Sequence, residues 1–463
     1  MSFFQLHPPA GTAWPPLPDG ALAQVWCAYQ TLDRGQWLSP AEIAAGQLSQ
    51  VRALLAHCAA HSPHYGRLLA EAGVSAEGVR SMDDFRRIPL LSRETYQARF
   101  AELACGSLPP GVVKTHETYS SGTNGVPVTV HQTNQVAFWW SVFCMRDLEW
   151  CGLDPRGTLA AIRLLPRPDR TAGPASPSVV NPYWVRSLAQ LIEQGPSHSL
   201  DVHHDPRRQL EWLRQVQPDY LLSMPSNLEF LAGLIEESGQ ALAGLRAIQT
   251  IGETVTDEAR TCIETAFRAP VKNTYSCTEA GYLASPCPAG HGLHVHAENV
   301  ILEVLDARDR PCPPGQAGRV VLTALRNFLT PFIRYDILDE AVLAPGVCPC
   351  GRGLPLLTSV QGRRHPLFYL PGGKRKIATG LYLELRKAGG TRQFQIVQRG
   401  VEHVLLRVVP NRAWTPEHPQ RLRRLVCEHF EAPIRVDVEL HENRLELPPG
   451  GKLRIGVIEM DGG

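Results

Sequence analysis

Two short stretches of this chain collect residues that bind soft metal ions. One reads CPAGHGLHVH over 287–296 and the other CPCG over 348–351. Thiolates of Cys287, Cys348 and Cys350 plus one imidazole form the donor set of a closed tetrahedral Zn2+ site. The imidazole is that of His294 or of His291. With all four positions filled, such an ion is structural rather than catalytic. Cys27, Cys58, Cys105, Cys144, Cys151, Cys262 and Cys427 stand singly in apolar text and read as small buried hydrophobes. A third stretch, YSSGTNGVP over 119–127, follows a strand-like run. Its Gly122 and Gly125 let the backbone approach a ligand closely. The hydroxyls of Ser120, Ser121 and Thr123, with free N–H groups, can then cradle phosphates without a Walker lysine. Near the other end, PPGGKLR over 448–454 sets Lys452 on a Gly-rich loop that can carry a point charge into a cleft.

These loops need a scaffold. At 463 residues the chain exceeds what one hydrophobic core serves, so two or three domains are expected. Lys and Arg total 46 against 45 Asp and Glu, a balance that argues against a nucleic-acid or other polyanionic partner. No apolar run is long enough to cross a bilayer, and the first residues lack a basic stretch followed by an apolar one. A cytoplasmic protein without membrane contact is therefore expected. The first forty residues, rich in Pro and Gly, are expected to be irregular, and SPAE over 39–42 then starts a capped helix. From about residue 115 to 360, strand-like and helical runs alternate, as in YLLS at 220, NLEFLAGLI at 227 and AIQTI at 247. That alternation predicts parallel sheets covered by helices. Two further strands are read over 299–306 and 318–324, with a turn between. After Gly362 the text reads as a small α+β unit: strands at 394 and 404, an amphipathic helix over 416–430 and a strand over 434–440. The fold expected is α/β, with a domain over 1–362 and a smaller one over 363–463.

Other segments recur in a set order. QVRALLAHCAAHSPHY starts at 50, FRRIPLLSRETY at 85, Gly252-Glu253 and YSCTE at 275 follow, then RYDILD at 334, Gly362-Arg363 and GKLR at 451. Together with the loop over 120–127, this succession resembles the phenylacetate–CoA ligase branch of the adenylate-forming superfamily. That branch includes capsule-biosynthesis ligase-like and coenzyme adenylyltransferase-like members. Any one segment is weak; all of them in order, from about residue 48 onward, are specific.

The resemblance implies a large N-terminal domain with parallel sheets and a distorted barrel, followed by a mobile α+β C-terminal lid. It implies ATP-dependent activation of a carboxylic acid as acyl-AMP, then transfer to a thiol, coenzyme A or the phosphopantetheine of a carrier protein. An amide synthetase or adenylyltransferase passing the acyl group to an amine, and an inactive binding homologue, are the alternatives. In these terms Glu279 is the Mg2+ ligand, Thr278 touches the α-phosphate, Tyr275 stacks on adenine with Ser276, Gly252 and Glu253 nearby, and Asp339 accepts both ribose hydroxyls. Arg363 marks the hinge, and Lys452 bridges the substrate carboxylate and the α-phosphate. His294 is the preferred fourth zinc ligand, because Gly-Leu-His recurs in the family. The acid is expected between 139–143, 224–226 and 280–281, where Trp140, Phe143, Ala280 and Gly281 stand; the aromatic side chains suggest an aromatic acid. A homodimer is compatible with the resemblance. The chain departs from the family pattern at Asn124, Val126 and Ser276, and with Arg364-His365-Pro366 after the hinge glycine and arginine.

Overall fold

The computed structural model describes residues 3–7, 18, 20–120, 127–165, 178–363, 367–448 and 452–460. They form two compact units, each drawn from several stretches of chain. The first comprises Met1–Thr158, Asn181–Ser197 and Lys272–Arg363; the second comprises Leu159–Val180, His198–Val271 and Arg364–Gly463. The break after Arg363 lies one residue from the boundary read in the sequence. Residues 364–463 are grouped in the same unit as 198–271, and they also hold an apolar core of their own around Phe368, Ile396, Leu406 and Val426.

In the first unit, the helix Pro40–His61 starts where the sequence predicts. Ser39 Oγ accepts the Glu42 N–H at 3.3 Å, and the Glu42 carboxylate accepts the Ser39 N–H at 2.8 Å. This reciprocal box satisfies two N–H groups that a helix start otherwise leaves open. Val51, Leu54, Leu55 and Cys58 form the buried stripe of that helix. The expected irregular lead-in is corrected: Gly20–Gly35 is a helix with Val25, Tyr29 and Leu32 buried. The Pro and Gly density of the lead-in stops at residue 20, and an i, i+4, i+7 stripe begins behind it.

A seven-stranded sheet fills the rest of this unit, in the order Val300–Leu305, Ala317–Ala324, Tyr335–Leu343, Leu356–Arg363, Leu293–Val295, Gly281–Pro286, Tyr275–Cys277. Its neighbours pair antiparallel. The two strands read over 299–306 and 318–324, with a turn between, are neighbours in it; hairpin turns make antiparallel pairs, whereas a parallel return needs a crossover of about a dozen residues or more.

The parallel arrangement is found in the second unit. Leu159–Arg163, Tyr220–Ser223 and Ala247–Thr250 run side by side in parallel within a six-stranded sheet. The helix Pro225–Ser238 makes one crossover, and Leu221 and Ile248 are fully buried. The C-terminal strands Thr391–Gly400, His403–Pro410 and Arg435–Leu440 form a sheet covered by the helix His418–Phe430, which buries Leu422, Val426 and Phe430. Val409 and Leu445 share one apolar core with Leu231 and Ile248. Polar ties add to it: Arg386 pairs with Glu229, Arg392 with Glu237, and Arg444 donates to Asn227 Oδ1 at 2.8 Å and to the Val202 carbonyl at 2.9 Å. Among the described residues no helix is long and apolar enough to cross a membrane.

Candidate functional site

The strands Tyr275–Cys277 and Gly281–Pro286 form a hairpin with Thr278, Glu279 and Ala280 at its tip. Gly281 closes the turn at φ +70°, where a side chain is strained. From behind, the Asn299 amide donates to the carbonyls of Ala280 and Tyr282 at 2.9 and 2.7 Å. The tip is thereby fixed. Ser276 is exposed and Thr278 half-buried, whereas Glu279 is only 3% exposed. Among the described residues, Glu279 Oε1 has no hydrogen-bond partner. An unmet buried acceptor costs about 1–3 kcal/mol, and more when charged. A hard cation with oxygen ligands would satisfy it.

The strand Tyr335–Leu343 approaches from the same sheet. The Tyr275 hydroxyl donates to Asp339 Oδ2 at 2.7 Å, and both residues are buried. Burial, and then the Asp339 carboxylate, push the Tyr275 phenol well above its usual range, so it stays a donor. The segment leading to Asp339 is held in an unusual backbone shape. Arg334 lies at φ +48° and Leu338 at φ +69°, both rare for residues with a Cβ. Two sets of bonds enforce it. Arg334 Nε donates to buried Glu303 at 3.0 Å, with its Nη1 on the carbonyls of Arg86 and Ile88, and Asp336 Oδ1 accepts the Leu338 N–H at 2.9 Å.

Ser120 closes the base of the Ser/Thr/Gly loop. Its N–H donates to the Val128 carbonyl at 2.9 Å, and its hydroxyl accepts the Val128 N–H at 2.8 Å and an Arg93 N–H at 3.3 Å. That hydroxyl is thus engaged in holding the loop together. Ser121, Gly122, Thr123 and Gly125 lie outside the described residues, as do Asn124, Val126 and 364–366. Arg363 pairs by its backbone opposite Asp339.

The second unit holds Gly252, Glu253 and Lys452. Gly252 stands at φ +77°, and a Cβ there would lie 3.1 Å from Lys452 Cε and 3.2 Å from its Nζ. Glu253 accepts the Ser226 N–H at 2.9 Å and the Ser226 hydroxyl at 3.0 Å. Burial raises the Glu253 carboxyl, while the Ser226 donors and the Lys452 charge draw it back.

The Cys/His stretches meet in the first unit. The ligand atoms of Cys287, His294, Cys348 and Cys350 all lie within 4.8 Å of one another. Cys287 and Cys348 Sγ are 3.9 Å apart, and His294 Nε2 is 3.2 Å from Cys350 Sγ. A tetrahedral ion with metal–sulfur bonds of about 2.3 Å requires sulfurs about 3.8 Å apart. The His294 Nδ1–H donates to the Leu354 carbonyl at 3.2 Å, which turns the Nε2 lone pair toward the thiols. Burial brings His294 down to about 4, so the imidazole is neutral at pH 7. His291 is exposed and is not one of the four.

Of the residues expected at the acid, Trp140 is 43% exposed with its Cδ1 over the Gly281 Cα, where a Cβ would lie 3.7 Å away. Phe143 is fully buried against His296. Behind it runs a polar network that sequence reasoning missed. Asp147 accepts from Thr274 at 2.7 Å and Ser285 at 2.5 Å, Ser285 meets His296 at 2.8 Å, and Arg146 pairs with Glu298 at 2.9 Å. Its two halves, 146–147 and 274–298, stand over a hundred residues apart, and only the adjacent Arg146-Asp147 in an apolar helix hinted at it.

A family profile described as AMP-binding enzyme matches residues 117–326. The phenylacetate-coenzyme A ligase of Thermus thermophilus is 23% identical over 344 residues, which cover 72% of each chain. That of Escherichia coli is 23% identical over 352 residues, 74% of this chain and 76% of its own. The chain is thus similar, over about three quarters of its length, to the phenylacetate–CoA ligase-like branch of the adenylate-forming superfamily. It is an adenylate-forming ligase. The adenylate-forming fold extends over nearly the whole chain: 2-hydroxyisobutyryl-CoA ligase in its postadenylation state matches with a TM-score of 0.71 at 19% identity, over 92% of both chains. Anthranilate CoA ligase in complex with anthranoyl-AMP matches at 0.51 and 13% identity, over 90% of this chain and 79% of its own.

Proposed function

We propose that this chain activates an aromatic carboxylic acid as its acyl-adenylate and passes the acyl group to the thiol of coenzyme A or of a carrier protein. The observation that carries the reading is the buried Glu279 oxygen, unpartnered among the described residues, on a hairpin whose neighbouring Tyr275 holds Asp339. An acceptor-only carboxylate for a cation and a second for ribose hydroxyls are the two fixed anions a Mg–ATP site requires. Mg2+ on Glu279 screens the phosphates when bound. Thr278, at the same tip, touches the α-phosphate, and Gly252 and Glu253 serve the adenine. Lys452 supplies the cation that lets an anionic carboxylate attack an anionic phosphate. The phenylacetate- and 2-hydroxyisobutyryl-CoA ligases among its relatives support a thiol acceptor. Trp140 beside Gly281 supports a flat acyl group.

In the same reading Cys287, His294, Cys348 and Cys350 hold a structural zinc ion. Their separations suit a tetrahedral ion, and the neutral, oriented His294 suits a metal ligand. Twelve cysteines without a disulfide among them fit the reducing cytoplasm.

Acid-dependent exchange of labelled pyrophosphate into ATP tests the first half-reaction. Exchange with aromatic acids and none with the acid omitted is the expected result; no exchange across a broad set of carboxylic acids would sink the proposal. Thiol-dependent release of AMP is expected in the second half, whereas release driven only by amines would overturn the thiol assignment. Tyr275→Phe removes the donor that orients Asp339. A lost hydrogen bond to a charged group predicts a rise of about tenfold in the KM for ATP, with kcat changed far less.

A further inference from the structure

A buried acid and a histidine sit beside the Lys452 loop, and no step described so far uses them. Asp201 is fully buried, and its Oδ1 lies 2.9 Å from both the His203 backbone N–H and the His203 ring Nδ1. The other ring nitrogen, Nε2, is 3.3 Å from the carbonyl oxygen of Pro448, four residues before Lys452. Asp201 Oδ1 and the Pro448 carbonyl face the two ring nitrogens and so set the plane and direction of the ring. The turn carrying the dyad is itself clamped. Gln209 donates to the carbonyls of Val202 and His204 at 3.0 and 2.8 Å, and Arg444 donates to the Val202 carbonyl from the other side. Gln209 in turn receives the Asn227 amide at 2.9 Å. The ring is thereby placed by buried, mutually bonded groups. At the far end of the loop, the Lys452 side chain lies over Gly252.

We propose that Asp201 and His203 are positioning residues for Lys452: Asp201 orients the imidazole, and the imidazole tethers the loop through the Pro448 carbonyl. This inference rests on the reading of Lys452 as the adenylation cation. A lysine ammonium on its four-carbon side chain has many positions open to it, and an anchor on the backbone four residues earlier limits them. The contribution falls on the step in which the charge must be in place before attack.

The test compares His203→Ala, Lys452→Ala and the double variant in the full-length enzyme. Three readouts are taken: pyrophosphate exchange, acyl transfer from preformed acyl-adenylate, and melting temperature. His203→Ala is expected to slow exchange about tenfold, the loss of one ordered contact to a charged group. The KM for ATP and the transfer half-reaction should stay near normal. In the Lys452→Ala background the same substitution should cost nearly nothing, because residues acting through one another are not additive. His203→Gln, which keeps one side-chain N–H, should restore part of the rate. A full tenfold loss persisting in the Lys452→Ala background would mark His203 as a structural residue and overturn the inference, as would unchanged exchange in His203→Ala. If Lys452→Ala itself exchanges normally, the reading of the lysine fails first, and the two failures are told apart.

Discussion

Lys452→Ala is expected to lose roughly 100-fold or more in adenylation rate, similar to the loss of a strong preorganised charge contact. The reaction sets a carboxylate against a phosphate, and their repulsion grows in a partly dehydrated cleft. A cation between them is worth most at the moment of attack, so ATP affinity should change little. Once the mixed anhydride exists, that repulsion is gone. The variant supplied with preformed acyl-adenylate should therefore transfer the acyl group at a near-normal rate. Pyrophosphate exchange and single-turnover transfer, measured side by side, decide it. Equal damage to both would make Lys452 structural, and undiminished exchange would remove it from the chemistry.

The largest effect on stability is expected at the Cys/His cluster. Protein purified without chelator should carry about one zinc ion per chain. Apparent binding free energies of about 10–16 kcal/mol for structural zinc compare with about 5–15 kcal/mol for the whole stability of a typical domain. Cys348→Ser removes a sulfur ligand from a set of four, three of them buried, and the melting temperature should fall by roughly 10 °C or more. Burial, and then the neighbouring Cys350 and Cys287 thiols, push the Cys348 thiol up to about 11, so an ion must displace its proton on binding, and zinc retention should weaken as pH falls. Metal-free protein of full stability in strong chelator would rule the site out.

Much of this was legible in the chain. The capping box at Ser39 and Glu42 is a local signal, and local signals survive into the structure. Cys287, Cys348 and Cys350 were legible because thiols gathered in two short loops shaped by Pro and Gly are the usual donors of a closed metal site. His294 was preferred over His291 from the resemblance alone, and the antiparallel pairing of 293–294 with 356–357 places its ring beside the thiols. The family motifs pointed to Glu279 and Asp339, but not to the hydrogen bond from Tyr275 to Asp339. Asp147, Ser285 and His296 lie on three elements, and no spacing within one element announces them. The helix Gly20–Gly35 was hidden by its Pro-rich surroundings. The antiparallel sheet was hidden because β-branched runs look alike whichever way their neighbours point.

The second unit has a consequence for how the protein is made. Its core joins Leu231 and Ile248 to Val409 and Leu445, with about ninety residues of the other unit, 272–363, in between. At about 5–20 residues per second, that intervening stretch alone occupies a ribosome for roughly 5–20 s. During that time the apolar side of the helix Pro225–Ser238 waits for partners that have not been synthesised. A message truncated before residue 409 would release a chain with that surface permanently uncovered, a natural substrate for chaperones and proteases.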